Sequence, residues 1–239
     1  STLYNLSIGA PINREISLEK LQVAFDKLVQ DNESMRTSFK SIDDTLYQVI
    51  RDKVDTTIYY EDHSEQSIDN LDYVNNLMAK SIHSYDLEKA PLFRLHLFRF
   101  KDNNSFIYLD IHHIISDGTS LGIFFQSLMN YYDGIQSPVS YVQYKDYAAW
   151  QQNMIHSELL EKQEQFWLSQ FDDEIPVLNL PTDFKRPQIQ SFEGDTARFV
   201  FVNSSREKAV NLAKSNHTTL NVVMLSVINI LLSQLSNPQ

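Results

Sequence analysis

Two apolar runs joined by a short polar segment constrain the fold of this chain more than any other feature. Residues 92–100 and 105–115 are rich in Phe, Leu and Ile, and the Lys-Asp-Asn-Asn segment between them, residues 101–104, favours a tight turn. The pattern predicts an antiparallel β-hairpin. Its second strand leads through Ser-Asp-Gly, residues 116–118, into a predicted helix over residues 119–132. A strand end, a tight turn and a helix start are therefore expected to lie side by side.

The rest of the chain alternates helix and strand patterns. Ser17 is a suitable N-cap for a helix that ends near Asn32, and Ser67 is the predicted cap of a second helix with apolar residues spaced between Ile68 and Ile82. Further strands are predicted over residues 45–50 and 196–202, and further helices over residues 144–171, 204–216 and 218–235. The predicted class is α/β, or α+β, with helices packed on a mixed and largely antiparallel sheet as a two-layer sandwich.

Composition narrows the classes of function. The 239 residues carry a formal net charge of −11, which disfavours nucleic acid and anionic membranes as partners. The absence of cysteine excludes disulfides, a thiolate nucleophile and cysteine-based metal sites, and it fits a reducing, cytoplasmic location. Residues 218–235 are uncharged but contain many polar side chains, so we expect a buried amphipathic helix there rather than a membrane span.

The segment between the hairpin and the following helix holds the densest set of reactive groups. Because neighbouring side chains on a regular strand point to opposite faces, His112 and His113 should not line one cleft or bind one metal ion, and no metal site is predicted. One imidazole could act as a general base, while the carboxylate of Asp117 could fix the local structure or the imidazole tautomer. Gly118 allows a sharp turn and a close approach of substrate. The alternative is one core and one surface histidine without a catalytic role.

Several segments resemble the sequence motifs of one family, and they occur along this chain in the same order as in that family. Residues 112–118, His-His-Ile-Ile-Ser-Asp-Gly, resemble the His-His-x-x-x-Asp-Gly signature of nonribosomal peptide synthetase condensation domains, in the chloramphenicol acetyltransferase-like superfamily. Residues 31–39 resemble the family's Arg-His-Glu-x-Leu-Arg-Thr-x-Phe motif, with Asp and Asn in place of its first Arg and His. Residues 144–150 resemble its Tyr-x-Asp-Tyr-Ala-x-Trp motif, and residues 180–183 and 191–194 resemble its inter-lobe connection.

The resemblance implies a reaction, partners and residue roles. In the family, the amine of an aminoacyl thioester attacks a donor acyl or peptidyl thioester, and both substrates are carried on phosphopantetheine arms. It implies donor and acceptor carrier proteins and a neighbouring adenylation domain as partners, and no cofactor bound directly. His113 is then the catalytic imidazole, His112 is structural, and Asp117 is an architectural carboxylate whose predicted ion-pair partner is Arg36. A backbone N–H near Gly118 is the predicted donor to the developing oxyanion.

The same resemblance predicts the domain organisation. Residues 1–175 would form the N-terminal lobe, residues 176–195 an extended crossover, and residues 196–239 the start of an incomplete C-terminal lobe. Because the family's catalytic histidine faces a tunnel between two lobes, the resemblance implies a fragment that lacks part of the catalytic chamber.

Other functions remain open. A free-standing acyl-CoA acyltransferase shares the His-x-x-x-Asp-Gly core, and an epimerisation domain shares the double histidine. Heterocyclising relatives carry aspartates in place of the histidines, so His112 and His113 argue against that activity. A non-catalytic lobe that docks carrier proteins is the alternative from a different class. The substituted Asp31 and Asn32 favour that alternative, whereas the intact His113, Asp117 and Gly118 oppose it.

Overall fold

A computed structural model describes residues 2–136, 140–155, 157–173, 175, 177–191 and 194–236. The chain divides into two compact units, residues 1–162 and 163–239. The first unit contains the predicted hairpin and every residue considered for chemistry.

The predicted hairpin forms the centre of a four-stranded sheet in the first unit. The strands are β1 (Asn5–Ile12), β4 (Tyr59–His63), β5 (Phe93–Phe100) and β6 (Ser105–His112). They are ordered β1-β6-β5-β4, with β6 antiparallel to both neighbours and β4 parallel to β5, which confirms the mixed, largely antiparallel sheet. At the hairpin turn, Asp102 and Asn103 adopt left-handed φ values of 58° and 57°, a conformation that Asp and Asn tolerate well.

A separate two-stranded sheet and seven helices complete the described elements. The small sheet pairs β2 (Thr37–Ile42) with β3 (Thr45–Ile50) in antiparallel fashion. The helices are α1 (Leu18–Asp31), α2 (Leu71–Ser81), α3 (Gly118–Tyr132), α4 (Tyr144–Ile155), α5 (Glu158–Ser169), α6 (Asn203–Ser215) and α7 (Leu220–Ser236). Single 3-10 turns cover Glu33–Arg36, Lys101–Asn103 and His113–Ile115.

Helices cover both faces of the four-stranded sheet. Because side chains alternate along a strand, Leu95, Leu109 and their neighbours pack on one side against α1 and α3. Phe98 and Tyr108 pack on the other side against α2. The predicted packing of helices on a mixed sheet is therefore confirmed, with α2 as an additional layer.

The ends of the first two helices show how local hydrogen bonds select a cap. The Oγ of Ser17 accepts a hydrogen bond from the backbone N–H of Lys20, and α1 ends at Asp31, as predicted. The predicted Ser67 cap is wrong. Its hydroxyl accepts instead from the backbone N–H of Asp69, inside a turn, and Asn70 caps α2 by accepting from the N–H of Tyr73.

The single helix predicted over residues 144–171 is instead two helices. Ser157, which follows α4, donates its hydroxyl to the carbonyl oxygen of Met154, so a local side-chain bond competes with continued helix at this point. His156 lies outside the described residues.

The strand predicted over residues 196–202 is also wrong. This stretch belongs to the second unit, where the described residues contain no strand that could complete its hydrogen bonds. Its apolar side chains stay in solvent, with Phe199 86% and Val200 95% exposed.

The last helix is less buried than predicted. Val223 is the buried residue of α7, and the remaining described side chains of this helix are partly or largely exposed because α6 is the helix that packs against it in this unit. Within the described ranges no single helix has the length and apolar character of a membrane span; α6 and α7 have them only when counted together across a 108° bend.

The described residues of 177–191 contain no helix or strand. Pro176, Phe192 and Glu193, which belong to the predicted crossover, lie outside the described residues. The domain boundaries at residues 175 and 195 stay a prediction.

Candidate active site

The strand that carries the two histidines ends at His112, three residues before the predicted end at residue 115. His112 is the last residue of β6, and His113 begins a single 3-10 turn, so the strand predicted through residue 115 is wrong at its end. The cause is local, because Nδ1 of His112 accepts the backbone N–H of Ile114 at 3.1 Å and bends the chain out of the sheet. His112 therefore belongs to the strand and His113 to the turn that follows it.

His112 is held in one place and one tautomer. Its ring is half-buried and lies 6.3 Å from the ring of Tyr4 and 6.2 Å from that of Tyr85, centroid to centroid. Burial lowers the pKa of His112, and the charge of His113 lowers it further. Because Nδ1 accepts a hydrogen bond, the proton of the neutral ring resides on Nε2.

His113 is exposed and lines an open cleft of about 390 Å³. The cleft is bounded by the turn after β6, by the β2–β3 hairpin and by the start of α4. Its lining residues are Ser34, Thr37, Phe39, Gln48, His113, Ile114, Ile115, Ser116, Asp117, Ser120 and Tyr144. An imidazole in this position is open to an incoming substrate.

Asp117 is the N-cap of α3. Its Oδ1 accepts the backbone N–H of Ser120 at 2.7 Å and the hydroxyl of the same residue at 2.6 Å. These hydrogen bonds, the side-chain bond above all, hold the pKa of Asp117 below its usual range. The carboxylate therefore stays ionised at neutral pH while it fixes the start of the helix beside His113.

The ion pair expected between Arg36 and Asp117 is absent from the described residues. Arg36 donates from Nε to the carbonyl of Val29 at 3.2 Å, from Nη2 to that of Gln30 at 3.3 Å, and from Nη1 to that of Arg51. The last carbonyls of a helix lack partners within the helix, and the end of α1 provides two of them to the guanidinium. Arg36 thus clamps the end of α1 to the chain that leaves β3.

Gly118 is the first residue of α3 and is exposed. Its backbone N–H has no hydrogen-bond partner among the described residues, as is usual for the first turn of a helix. A Cβ at this position would meet nothing within 4 Å. The fold of this chain therefore does not itself require glycine here.

Sequence reasoning missed several residues of the cleft wall, among them Phe39, Gln48 and Tyr144. Phe39 and Gln48 face each other as direct partners across the β2–β3 pair, and Tyr144 begins α4. The resemblance of residues 31–39 and 144–150 to family motifs was the available signal, since both segments contribute to this cleft.

Contacts between those two segments position the tyrosine. The Gln143 side chain accepts the backbone N–H of Glu33 at 3.0 Å and donates to the carbonyl of Asp31 at 3.3 Å. Lys145 Nζ lies 2.6 Å from Oε1 of Glu33.

Asp31, one of the two departures from the family motif, accepts a 2.7 Å hydrogen bond from the hydroxyl of Tyr131 and so joins the ends of α1 and α3.

Sequence reasoning also missed a buried carboxylate behind the histidines. Asp110 is 0% exposed and accepts hydrogen bonds from the side chains of Asn5, Ser7 and Tyr85. Arg94 Nη1 lies 3.4 Å from its Oδ2. Burial and the neighbouring Asp110 charge raise the pKa of the Tyr85 hydroxyl, which therefore acts as a neutral donor.

Comparison with solved structures identifies the class of fold. A four-domain nonribosomal peptide synthetase, AB3403, superposes with a TM-score of 0.82 at 25% identity, covering 99% of this chain and 18% of that chain. The X-domain from teicoplanin biosynthesis superposes with a TM-score of 0.83 at 20% identity, covering 97% of this chain and 53% of that chain, and shows the fold alone. The fold is that of chloramphenicol acetyltransferase-like domains.

Comparison of sequences identifies the family. A family model described as the condensation domain matches residues 1–239. Surfactin synthase subunit 1 of Bacillus subtilis (strain 168) is 36% identical over 235 residues, and bacitracin synthase 2 of Bacillus licheniformis is 38% identical over 233 residues. Each alignment covers 98% of this chain but only 6% and 9%, respectively, of the relative. The chain belongs to the condensation-domain family.

Proposed function

We propose that this chain forms an amide bond between a donor acyl or peptidyl thioester and an acceptor aminoacyl thioester in nonribosomal peptide synthesis. The observation that supports it is the exposed imidazole of His113, which lines a cleft beside the N-terminus of α3 in a member of the condensation-domain family. Carrier proteins present both substrates on phosphopantetheine arms, and an adenylation domain loads the acceptor. The cysteine-free composition fits a cytoplasmic location.

The proposed reaction transfers one acyl group from sulfur to nitrogen. The acceptor amine attacks the donor carbonyl, the new C–N bond forms, the C–S bond breaks, and the pantetheine thiolate leaves and takes up a proton. An α-amine with a pKa of about 8 is roughly one-tenth neutral at pH 7. His113 therefore needs to accept only a modestly acidic proton, from the ammonium or from the zwitterionic intermediate.

Positioning of the two substrates should contribute more to the rate enhancement than general-base catalysis by His113 does. A general base contributes roughly 10²–10⁴-fold, whereas oriented reactants reach effective molarities of about 10⁵–10⁸ M. His112 and Asp117 act in this proposal as positioning residues: the first shapes the turn that presents His113, and the second fixes the helix start. The unpaired N–H of Gly118 is the proposed donor to the oxyanion of the tetrahedral intermediate.

The test is amide formation by the full-length protein as encoded, with preloaded donor and acceptor carrier proteins mixed in single-turnover experiments. His113→Ala should lower the rate by about 10²-fold or more. His83→Ala, which alters an exposed histidine outside the cleft, is the matched control and should leave the rate unchanged. Full activity of His113→Ala would overturn the catalytic assignment and favour a lobe that only docks carrier proteins.

The oxyanion assignment has a separate test. Gly118→Ala keeps the N–H but places a methyl group where nothing of this chain lies within 4 Å, so the fold should be kept while the close approach of a substrate oxyanion to this N–H is obstructed. Gly122→Ala, one turn further along α3 and equally unobstructed, is the matched control. We expect a loss of at least tenfold in kcat for Gly118→Ala alone, and equal rates for the two variants would refute the assignment.

A further inference from the structure

A second cavity adjoins the cleft that contains His113. It has a volume of about 170 Å³ and shares four lining residues with the larger cleft: Ser34, Ile115, Ser116 and Ser120. It extends between α1 and α3, and we call it the α1–α3 pocket. A side group of a substrate bound at His113 could therefore extend from the cleft directly into the α1–α3 pocket.

The wall of the α1–α3 pocket is mainly apolar. Its apolar lining residues are Leu28, Met35, Leu109, Ile111, Ile115, Leu121, Ile123 and Phe124. The rest of its lining consists of Asn32 and serines, and none of its lining residues is Asp, Glu, Lys, Arg or His. The amide nitrogen of Asn32 is already used, since it donates to the carbonyl of Leu28 at 2.8 Å. A charged occupant would lose its hydration here without gaining an ionic partner.

The volume sets the size of the occupant. An apolar cavity of roughly 150 Å³ lined by Leu, Ile and Phe is known to take up benzene. The α1–α3 pocket, at about 170 Å³, is therefore large enough for a phenyl ring or a branched C4 chain. An indole ring would require the wall to move.

We propose, on the basis of the proposed amide-forming function, that the α1–α3 pocket binds the side chain of one condensed residue. The preferred side chain is uncharged and apolar, branched aliphatic or phenyl in size. The four shared residues connect the pocket to the cleft where the reacting carbonyl and amine meet. The same side-chain chemistry can arrive on the donor or on the acceptor, and the two sources require separate arms of the test.

Leu121 offers the variants that change the pocket volume. It lines the pocket from α3 and is half-buried, so a larger side chain can be accommodated at the edge of the core. Leu121→Trp should fill the pocket and Leu121→Ala should enlarge it. Ser127→Phe, at another half-buried lining position, is a second filling variant in case Leu121→Trp does not fold. Val23→Trp, exposed on α1 and outside both cavities, is the matched control.

The experiment measures amide formation by the full-length protein with a panel of alanyl, leucyl, phenylalanyl, tryptophanyl and lysyl thioesters. One arm varies the acceptor with a fixed donor, and the other arm varies the donor. In one arm we expect wild-type kcat/KM for leucyl and phenylalanyl groups to exceed that for alanyl and lysyl groups by about 10- to 200-fold. Leu121→Trp and Ser127→Phe should remove this preference by lowering the leucyl and phenylalanyl values toward the alanyl value, and Leu121→Ala should admit the tryptophanyl group.

Failure of the pocket and failure of the proposed function give different results. A flat wild-type profile in both arms, or filling variants that slow every substrate equally, would overturn the pocket assignment while amide formation persists. Absence of amide from every pair would overturn the proposed function. In that case, titration with phenylalanyl-S-pantetheine by NMR still tests the pocket. Binding that Leu121→Trp abolishes and Val23→Trp keeps supports it, and no binding, or binding that both variants keep, refutes it.

Discussion

The backbone N–H of His113 donates a 2.8 Å hydrogen bond to the carbonyl oxygen of Tyr4, the residue that precedes β1. The next residue, Asn5, donates its side-chain amide to both carboxylate oxygens of Asp110, at 3.0 and 3.1 Å. β1 therefore continues its antiparallel pairing with β6 by one residue past the end of the strand. The candidate catalytic imidazole is thus positioned by the start of the first strand as well as by its own turn.

The buried Asp110 carboxylate should be essential to this arrangement. Asp110→Asn replaces a charged acceptor by an amide that presents its own N–H groups to the surrounding donors, and breaking such a buried pair costs about 3–5 kcal/mol. We expect a loss of that size in the free energy of unfolding, measured with urea, and faster hydrogen exchange at the His113 amide.

Asp62→Asn is the matched control. Asp62 also lies in this sheet, in β4, but its side chain is exposed, and its ion pair with Arg99 is long, at 3.9 Å. Its effect should be much smaller, because exposed ion pairs contribute little. Comparable losses in the two variants would contradict a special role for the buried carboxylate.

Arg36 should act through the shape of its guanidinium rather than through its charge. Arg36→Lys keeps the positive charge, but its donors all sit on one nitrogen and cannot reproduce the bonds that Arg36 makes from Nε, Nη1 and Nη2, so we expect the free energy of unfolding to fall by about 1–3 kcal/mol. Arg51→Lys is the control, because Arg51 contributes its backbone carbonyl, which the substitution keeps. If Arg36 instead served Asp117 as a simple counter-ion, the lysine variant would be as stable as the wild type.

The parts of the fold that the sequence predicted depend on contacts between neighbouring segments. Hairpin β5–β6 has its turn residues between its strands, and the Ser17 cap acts within one turn of its own helix. β1 went unpredicted because its apolar pattern is interrupted by Gly9 and Pro11, and its pairing partner β6 lies far along the chain. Proline is tolerated there because β1 is an edge strand.

The candidate site shows the same division. The cluster from His112 to Gly118 was recognisable because its members are consecutive, and the structure brings His113 and Asp117 to one cleft. The partner of Arg36 was predicted wrongly because its acceptors at the end of α1 are backbone carbonyls. A pattern of side chains in the sequence does not reveal such acceptors. The Asp110 network needs residues from β1, β5 and the segment before β5, which only the folded sheet brings together.

A buried histidine should make the stability of the protein depend on pH. His96 is 7% exposed, stacks on Tyr59, and has no hydrogen-bond partner for either ring nitrogen. Burial lowers its pKa from the usual value of 6.5, while Glu61 and Asp110 favour the charged ring and Arg94 and His83 oppose it. The unfolded chain therefore binds a proton as pH falls below about 6.5, before the folded chain does, and stability declines in that range.

His96→Phe removes the titrating group and two unpartnered polar atoms while keeping a stacking ring. We expect a gain of about 1 kcal/mol near pH 7 and a flatter stability curve between about pH 6.5 and 5, measured by thermal or urea unfolding. His63→Phe is the control. His63 has partners on both nitrogens, Tyr73 at 3.0 Å and Glu61 at 3.3 Å, and its replacement should destabilise. If the stability of His96→Phe depended on pH more steeply than that of the wild type, the proposal that His96 is the titrating group would be wrong.

Gly9, which lies in β1 of the four-stranded sheet, should resist substitution. A Cβ there would lie 2.2 Å from Cζ and 2.4 Å from Cε1 of Phe106, a buried residue of β6. Gly9→Ala must displace that ring and should lower the free energy of unfolding by about 1–3 kcal/mol. Gly122→Ala, in open space on α3, should be neutral or stabilising by up to about 1 kcal/mol.

Phe106→Leu shortens the clashing side chain, so the double variant Gly9→Ala with Phe106→Leu should lose less stability than the two single losses combined. Strict additivity of the two substitutions would show that the close approach of Gly9 to Phe106 does not constrain the strand.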